Sequence, residues 1–340
     1  MEINKINIAR YDYLNYCRNV LLDILRYAND HDLNSTTIPY RDNGDEKTFS
    51  KICETNAEEG IKWLRNNGYE ETVYESNYKN TFFSLISDFF DFYSISIDQA
   101  FEKNIVVAWS LLRRPLQENL AYIDWLYLKK YEPIKIMLDS TDVKDYDLNY
   151  NKNLREKIVK EVYKEIKDDD FDVYNFRYSK EDYYSLNGIL NGATHLITTR
   201  NKNFKTVPSN LNFVFKDYDD IEKCINYYFS AVPLVMHYAI TTIMATFNDI
   251  AGLKPYTNLM NDYNLRLKDL KAMQTMSLED AIKIAQIEYP IICPKCGHDM
   301  RTLDDWQAFA YKSVRCKNCN NEIKTFGYIF DFEEITYVDK

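Results

Sequence analysis

The sequence predicts a mainly α protein: a multi-helix, bundle-like domain over residues 1–288 and a small β-rich module over 289–340. Three observations carry that expectation. Gly and Pro number only 8 each in 340 residues, whereas an all-β sandwich or barrel needs a turn signal every ~8–12 residues. Apolar residues recur at helical spacing through most of the first 288 positions. Near the C-terminus, four of the seven cysteines fall into two Cys-x-x-Cys pairs among short β-prone runs. Hydrophobic residues at 46% and charged residues at 28% exclude a collagen-like or mostly disordered chain.

Taken in order, residues 7–29 carry Leu14, Cys17, Leu21, Ile24, Leu25 and Ala28 on one helical stripe. His31 to Glu46 has a loop composition, and a second helical stretch ends near Asn66-Asn67-Gly68 with Gly as a C-cap. Residues 78–131 predict two long helices, the first built on Phe82, Phe83, Leu85, Ile86, Phe89, Phe90 and Tyr93. Leu112, Leu116, Leu120 and Ile123 mark the second, which Pro115 should kink or restart. A polar loop follows at Asp139–Asp147. Leu154, Ile158, Val162 and Ile166 then define an amphipathic helix ending in Lys167-Asp168-Asp169-Asp170. Further helices are expected at about 180–199, 218–250 and 262–287, with a β-prone piece, Phe213-Val214-Phe215, between the first two.

The charge balance, 52 Asp+Glu against 42 Lys+Arg, gives −10. A general electrostatic grip on nucleic acid is thereby excluded, so a polyanion site has to be local. No basic and apolar leader opens the chain. The uncharged stretch between Lys223 and Asp249 is long enough to cross a bilayer, but Pro233, His237, Thr241, Thr242 and Thr246 suit a buried helix better. The expectation is a cytoplasmic protein with no membrane span, its cysteines reduced.

From Cys293-Pro294-Lys295-Cys296 to Cys316-Lys317-Asn318-Cys319 the spacing resembles zinc ribbons. Each tight Cys-x-x-Cys turn brings two thiolates to one metal, and two turns complete the tetrahedral set that zinc prefers. Cys293, Cys296, Cys316 and Cys319 are therefore the expected ligands of a structural Zn2+, and four sulfurs leave His298 unneeded. A closed set has no position open for substrate, so no catalysis is assigned to the metal. Residues 293–340 hold seven Lys/Arg and eight Asp/Glu, so the ribbon as a whole is no electrostatic DNA clamp. Only the second knuckle, with Lys312, Arg315, Lys317 and Lys324 against Glu322, leans positive and could touch phosphate, and the ribbon is otherwise expected to dock a protein partner.

Two candidate sites stand out in the helical domain. Arg114 and Glu118 interrupt an apolar helix four residues apart and are expected to pair, either as a site or as an ion pair locking two helices. The second is an absence: Tyr183 to Lys216, 34 residues, contains no Asp or Glu, where proportion predicts about five. His195, Arg200, Lys202 and Lys205 lie inside it. On a helix His195 and Thr199 share a face, with the three cations just beyond, so a phosphate or carboxylate could be held there while His195 moves a proton. The competing expectation is that His195 packs under a helix and the cations pair with Asp168-Asp169-Asp170.

An Arg-x-x-x-Glu helix followed by a helix bearing His, here Arg114, Glu118 and His195, resembles certain uncharacterised bacterial helical proteins. Arg26-Tyr27-Ala28-Asn29-Asp30-His31 is similar to the Arg-and-His motif of the HEPN superfamily, although Tyr27 departs from the usual polar residue after Arg. That likeness implies a compact helical bundle and, for members active in toxin–antitoxin and phage-defence systems, metal-independent cleavage of RNA. Two functions follow as expectations. The first is a zinc-ribbon-bearing helical protein binding a partner or an anionic ligand such as RNA. The second is an endoribonuclease using His195 and Arg114 with Glu118.

Overall fold

The computed structural model describes residues 5–166, 172–182, 184–199, 205–209, 211, 218–252, 293, 295–298 and 314–323. Helix α1 (Lys5–Asp30) buries Leu14, Cys17, Leu21, Ile24 and Ala28, the stripe its spacing predicts. The second helical stretch is split in two, α2 (Asn43–Thr55) and α3 (Ala57–Asn66). Asn56 divides them, because its side chain accepts from the Glu58 and Glu59 amides and so caps a new helix. At the far end Gly68 takes φ +89° and the Tyr69 amide returns 2.9 Å to the Leu64 carbonyl. This is a Schellman closure, which a side chain at Gly68 would strain.

Helix α4 (Glu70–Phe101) runs through the centre with Phe82, Phe83, Ile86, Phe89 and Tyr93 buried. The next predicted helix is interrupted at the expected residue. Helix α5 (Ile105–Arg113) passes into a π-turn (Arg114–Asn119) and then α6 (Leu120–Lys129). Pro115 has no N–H to give and its ring collides with the carbonyl four residues back, so the backbone widens by one residue instead of breaking. Leu112, Leu116, Leu120 and Ile123 stay fully buried across it.

Helix α7 (Glu132–Asp139), with Pro133 in its first turn, and α9 (Val173–Tyr178) are too short for a periodicity to reveal. Between them, α8 (Lys152–Ile166) buries Ile158, Val162 and Ile166. Helix α10 (Leu186–Thr194) is shorter than the 180–199 expected. Ser179 Oγ accepts from the Glu181 and Asp182 amides and Asp182 from Tyr184, so these side chains hold a turn where the helix was expected to start. After Thr194 the β-branched run Ile197-Thr198-Thr199 favours extended backbone.

Helix α11 (Tyr218–Ala251) is the apolar stretch, packed chiefly against α1. Its 31-residue window from Ile221 to Ala251 is long and apolar enough to cross a membrane, yet 83% of its most apolar part is buried inside the bundle. The Thr241, Thr242 and Thr246 hydroxyls return to carbonyls four residues back, at 2.9, 3.3 and 2.9 Å. The core is thus a mainly α assembly closed by α1, α4, α5, α6, α8 and α11 among the described residues. The expected β-prone piece at 213–215, the helix at 262–287 and the boundary at 288 lie outside the described residues.

Candidate metal centre and Arg–His site

The four cysteines come together as their spacing predicts. The Sγ atoms of Cys293, Cys296, Cys316 and Cys319 all lie within 4.8 Å of one another, with Cys293–Cys319 at 3.5 Å and Cys296–Cys316 at 3.6 Å. Four sulfurs at ~2.3 Å from one tetrahedral ion stand about 3.8 Å apart, so the cluster is of metal-binding size. The two knuckles share one construction. In the first, the Gly297 amide reaches the Cys293 carbonyl at 2.9 Å, and in the second the Asn320 amide reaches Cys316 at 2.8 Å. Gly297 (φ +70°) and Asn320 (φ +55°) both adopt the left-handed conformation that lets the chain turn back. The second knuckle is closed by the antiparallel pair β1 (Val314–Arg315) and β2 (Glu322–Ile323). His298 stands outside the sulfur cluster and contributes its carbonyl to the Cys293 amide.

Hydrogen bonds divide the thiols. The Asn318 side chain and the His298 backbone hold Cys296 down to about 6. At Cys319 the Asn321 backbone favours the thiolate, but burial and the crowding of Cys296, Cys293 and Cys316 outweigh it and push the group up to about 12. Sulfurs this close resist carrying negative charge together, which is the condition a bound cation relieves.

In the helical domain the expected Arg114–Glu118 pair does not form. Arg114 Nε donates to Asp88 Oδ2 at 2.8 Å and its guanidinium lies over the Phe92 ring, so Arg114 ties the π-turn to α4. Glu118 sits instead within electrostatic reach of Tyr122. The reason is phase: Arg114 and Glu118 both lie in the π-turn (Arg114–Asn119), whose wider turn shifts residues four apart off the face they share on an α-helix.

Arg113 is the arginine that meets the histidine. Its Nη1 donates to His195 Nε2 at 3.1 Å, in solvent. A guanidinium has no acceptor, so in this contact Nε2 is the accepting atom. Among the described residues Arg113 has no carboxylate partner, and its buried Nε has no hydrogen bond. His195 is not on a continuous helix with Thr199, contrary to expectation. It is the C-cap of α10 with φ −113° and ψ 131°, and Thr198 beyond it pairs with Thr206 through a 2.8 Å backbone hydrogen bond.

A buried polar network holds α10 at this depth. Gln117 Nε2 in the π-turn donates to the Arg177 carbonyl and to Asn187 Oδ1, and Asn187 in turn accepts from Asn191, one turn before His195. Arg177 Nε donates to the Leu116 carbonyl at 3.0 Å and the Tyr178 hydroxyl to the Gln117 carbonyl at 2.8 Å. Arg177 also binds Asp124 at 2.7 Å with both side chains fully buried, and the Tyr238 hydroxyl completes that carboxylate at 2.8 Å. Burial pushes the Asp124 carboxyl up, against the pull of Arg177 and Tyr238. No sequence signal distinguishes Arg113, Gln117 or Arg177, because their roles depend on the π-turn.

Of the expected anion-binding cations, Lys205 is exposed, while Arg200 and Lys202 lie outside the described residues, as do Asp168, Asp169 and Asp170. His31 stacks on Tyr27 at 3.8 Å and its Nδ1 meets the Tyr27 carbonyl at 3.0 Å; no hydrogen bond joins it to Arg26. Comparisons of the chain with protein-family models, curated proteins and solved structures give no match.

Proposed function

We propose that this chain is a zinc-ribbon-bearing helical protein that binds an anionic ligand, with RNA foremost, at the exposed end of α10. The observation that carries the reading is Arg113: in a chain of net charge −10, an arginine held against His195 has no carboxylate partner among the described residues. A guanidinium beside an imidazole, at the edge of an acid-free segment, offers an oxyanion donors without a competing carboxylate. The four-thiolate cluster supports a structural zinc that fastens the C-terminal module and serves as a docking surface for a protein partner. None of the seven cysteines is in a disulfide, which suits a reducing compartment.

Binding of a labelled single-stranded RNA by the intact, metal-loaded protein tests this by fluorescence anisotropy. Arg113→Gln should weaken it by about tenfold or more, the scale of one lost charge-assisted hydrogen bond, and Arg114→Gln should have little effect. No binding by the parent protein at micromolar concentration and low salt overturns the reading.

A second reading, a metal-independent endoribonuclease, is favoured by one detail. His195 Nε2 accepts from Arg113, which sets an imidazole beside a fixed positive charge. There His195 would take the proton of a ribose 2′-hydroxyl while Arg113 carries charge developing on the phosphate. Cleavage in EDTA that disappears in His195→Ala supports this reading, and intact RNA under those conditions removes it.

A further inference from the structure

The lobe formed by α2 and α3 carries four aromatic rings in a closed circuit. Tyr40 meets Phe49 at 6.0 Å between ring centroids, Phe49 meets Trp63 at 6.4 Å, Trp63 meets Tyr69 at 6.0 Å, and Tyr69 returns to Tyr40 at 5.8 Å. Each ring touches two of the others and, among the described residues, no ring contact crosses the middle, so the four stand around a centre instead of stacking through it. Neighbouring planes meet at angles from 23° to 67°, which turns the faces different ways. Tyr69 is buried with Leu64 and Val73, whereas Tyr40, Phe49 and Trp63 are half-buried and no residue of α2 is buried. The centre of a circuit this size lies about 4 Å from every ring, inside the ~6 Å limit for a cation over an aromatic face.

The charge around the rings points to a cation. Residues 40–71 hold eight Asp/Glu against five Lys/Arg. Glu46, which is exposed, stands within electrostatic reach of Tyr40, and Asp45 accepts from the Tyr69 hydroxyl. The face of Tyr69 already draws one cation, the exposed guanidinium of Arg41 at 5.5 Å. Elsewhere the chain fills a comparable arrangement with its own ammonium: Lys130 Nζ lies 5.1 and 5.2 Å from the Tyr78 and Tyr131 centroids, with Asp249 at 3.0 Å. Among the described residues no lysine or arginine takes that place over Tyr40, Phe49 or Trp63. We propose that this aromatic quartet is a binding site for a quaternary ammonium ion, held by the faces of Tyr40, Phe49 and Trp63 and by the carboxylates at the rim. The acceptors select the class. Asp45 is engaged by Arg41 Nε and the Tyr69 hydroxyl, so a primary ammonium finds few partners for its three N–H groups. A trimethylammonium has no N–H to satisfy and loses least in such a setting.

Choline and its carbon isostere dimethylbutanol, with a tert-butyl group in place of the trimethylammonium, differ chiefly in charge. Isothermal titration of the intact, metal-loaded protein with each separates attraction to a cation from burial of methyl groups. The parent should bind choline about tenfold or more tightly than dimethylbutanol, as a cation facing several rings requires. Trp63→Leu keeps an apolar side chain but removes one ring, and should bring choline down to the level of dimethylbutanol while the helical circular dichroism stays that of the parent. Glu46→Lys serves where Trp63→Leu fails to fold: it changes an exposed side chain, replaces no ring, and should weaken choline by about threefold or more with dimethylbutanol unaltered. Parent protein that takes both ligands equally well overturns the proposal and marks the rings as an ordinary apolar patch. No choline binding at millimolar concentration overturns it too, as does choline affinity unchanged in either folded variant.

Discussion

Asp12 on α1 shows what a single half-buried carboxyl does to the pH dependence of this fold. Burial pushes it up from 3.8 to about 6, so between those values the native state binds more proton than the unfolded chain. Its contribution to stability is full below the unfolded value and is lost as pH rises through about 6. Asp12→Asn should therefore raise the melting temperature at pH 7.5 and leave it nearly unchanged at pH 4. An equal gain at both would trace the effect to packing rather than charge. At this scale legibility depended on whether chemistry follows from spacing alone. The four cysteines could be read because two Cys-x-x-Cys turns carry their own geometry. Arg113 could not, because choosing it over Arg114 requires the phase of a helix that a π-turn alters.

Among the elements, α9 has the least sequence signal and one of the largest structural roles. Its six residues place Arg177 and Tyr178 on the carbonyls of Leu116 and Gln117, within the widened turn. Arg177→Met would leave Asp124 charged and buried without its partner, and should cost about 3–5 kcal/mol by urea unfolding. Adding Asp124→Leu should recover most of that loss, since an apolar pair of similar volume is often neutral or better. A double variant no more stable than Arg177→Met would mean that the network matters through the Leu116 carbonyl and not through the ion pair. Long helices such as α1, α4 and α11 were legible because apolar periodicity accumulates over many turns. The ends of α10 were not, because Ser179, Asp182 and the β-branched run after Thr194 act locally against a weak helical pattern.

At the scale of the whole molecule, the described apolar cluster is built chiefly from helices between α1 and α11, and none of the described cysteine-knuckle residues belongs to it. Stripping the metal with a chelator should release one equivalent of zinc while the helical circular dichroism signal and the main melting transition persist. Loss of most helical signal would mean that the bundle depends on the module for its stability. The mainly α class was legible from the scarcity of Gly and Pro, whereas the path joining Asp124, Arg177, Gln117 and Asn187 arises from contacts more than fifty residues apart in sequence.

That path also bears on the order of assembly. Arg177 and Asp124 are both fully buried, so either one arriving before the other would stand desolvated and uncompensated. Asp124 on α6 therefore stays hydrated until α9 brings Arg177 to it, late, once α5 and α6 have packed through Leu112, Leu116 and Ile123. Removing the pair should leave the refolding arm of a chevron nearly unchanged and raise the unfolding arm, speeding unfolding at every denaturant concentration. The ion pair then works as a latch on the lifetime of the native state, closed only after the rest of the helical bundle has formed.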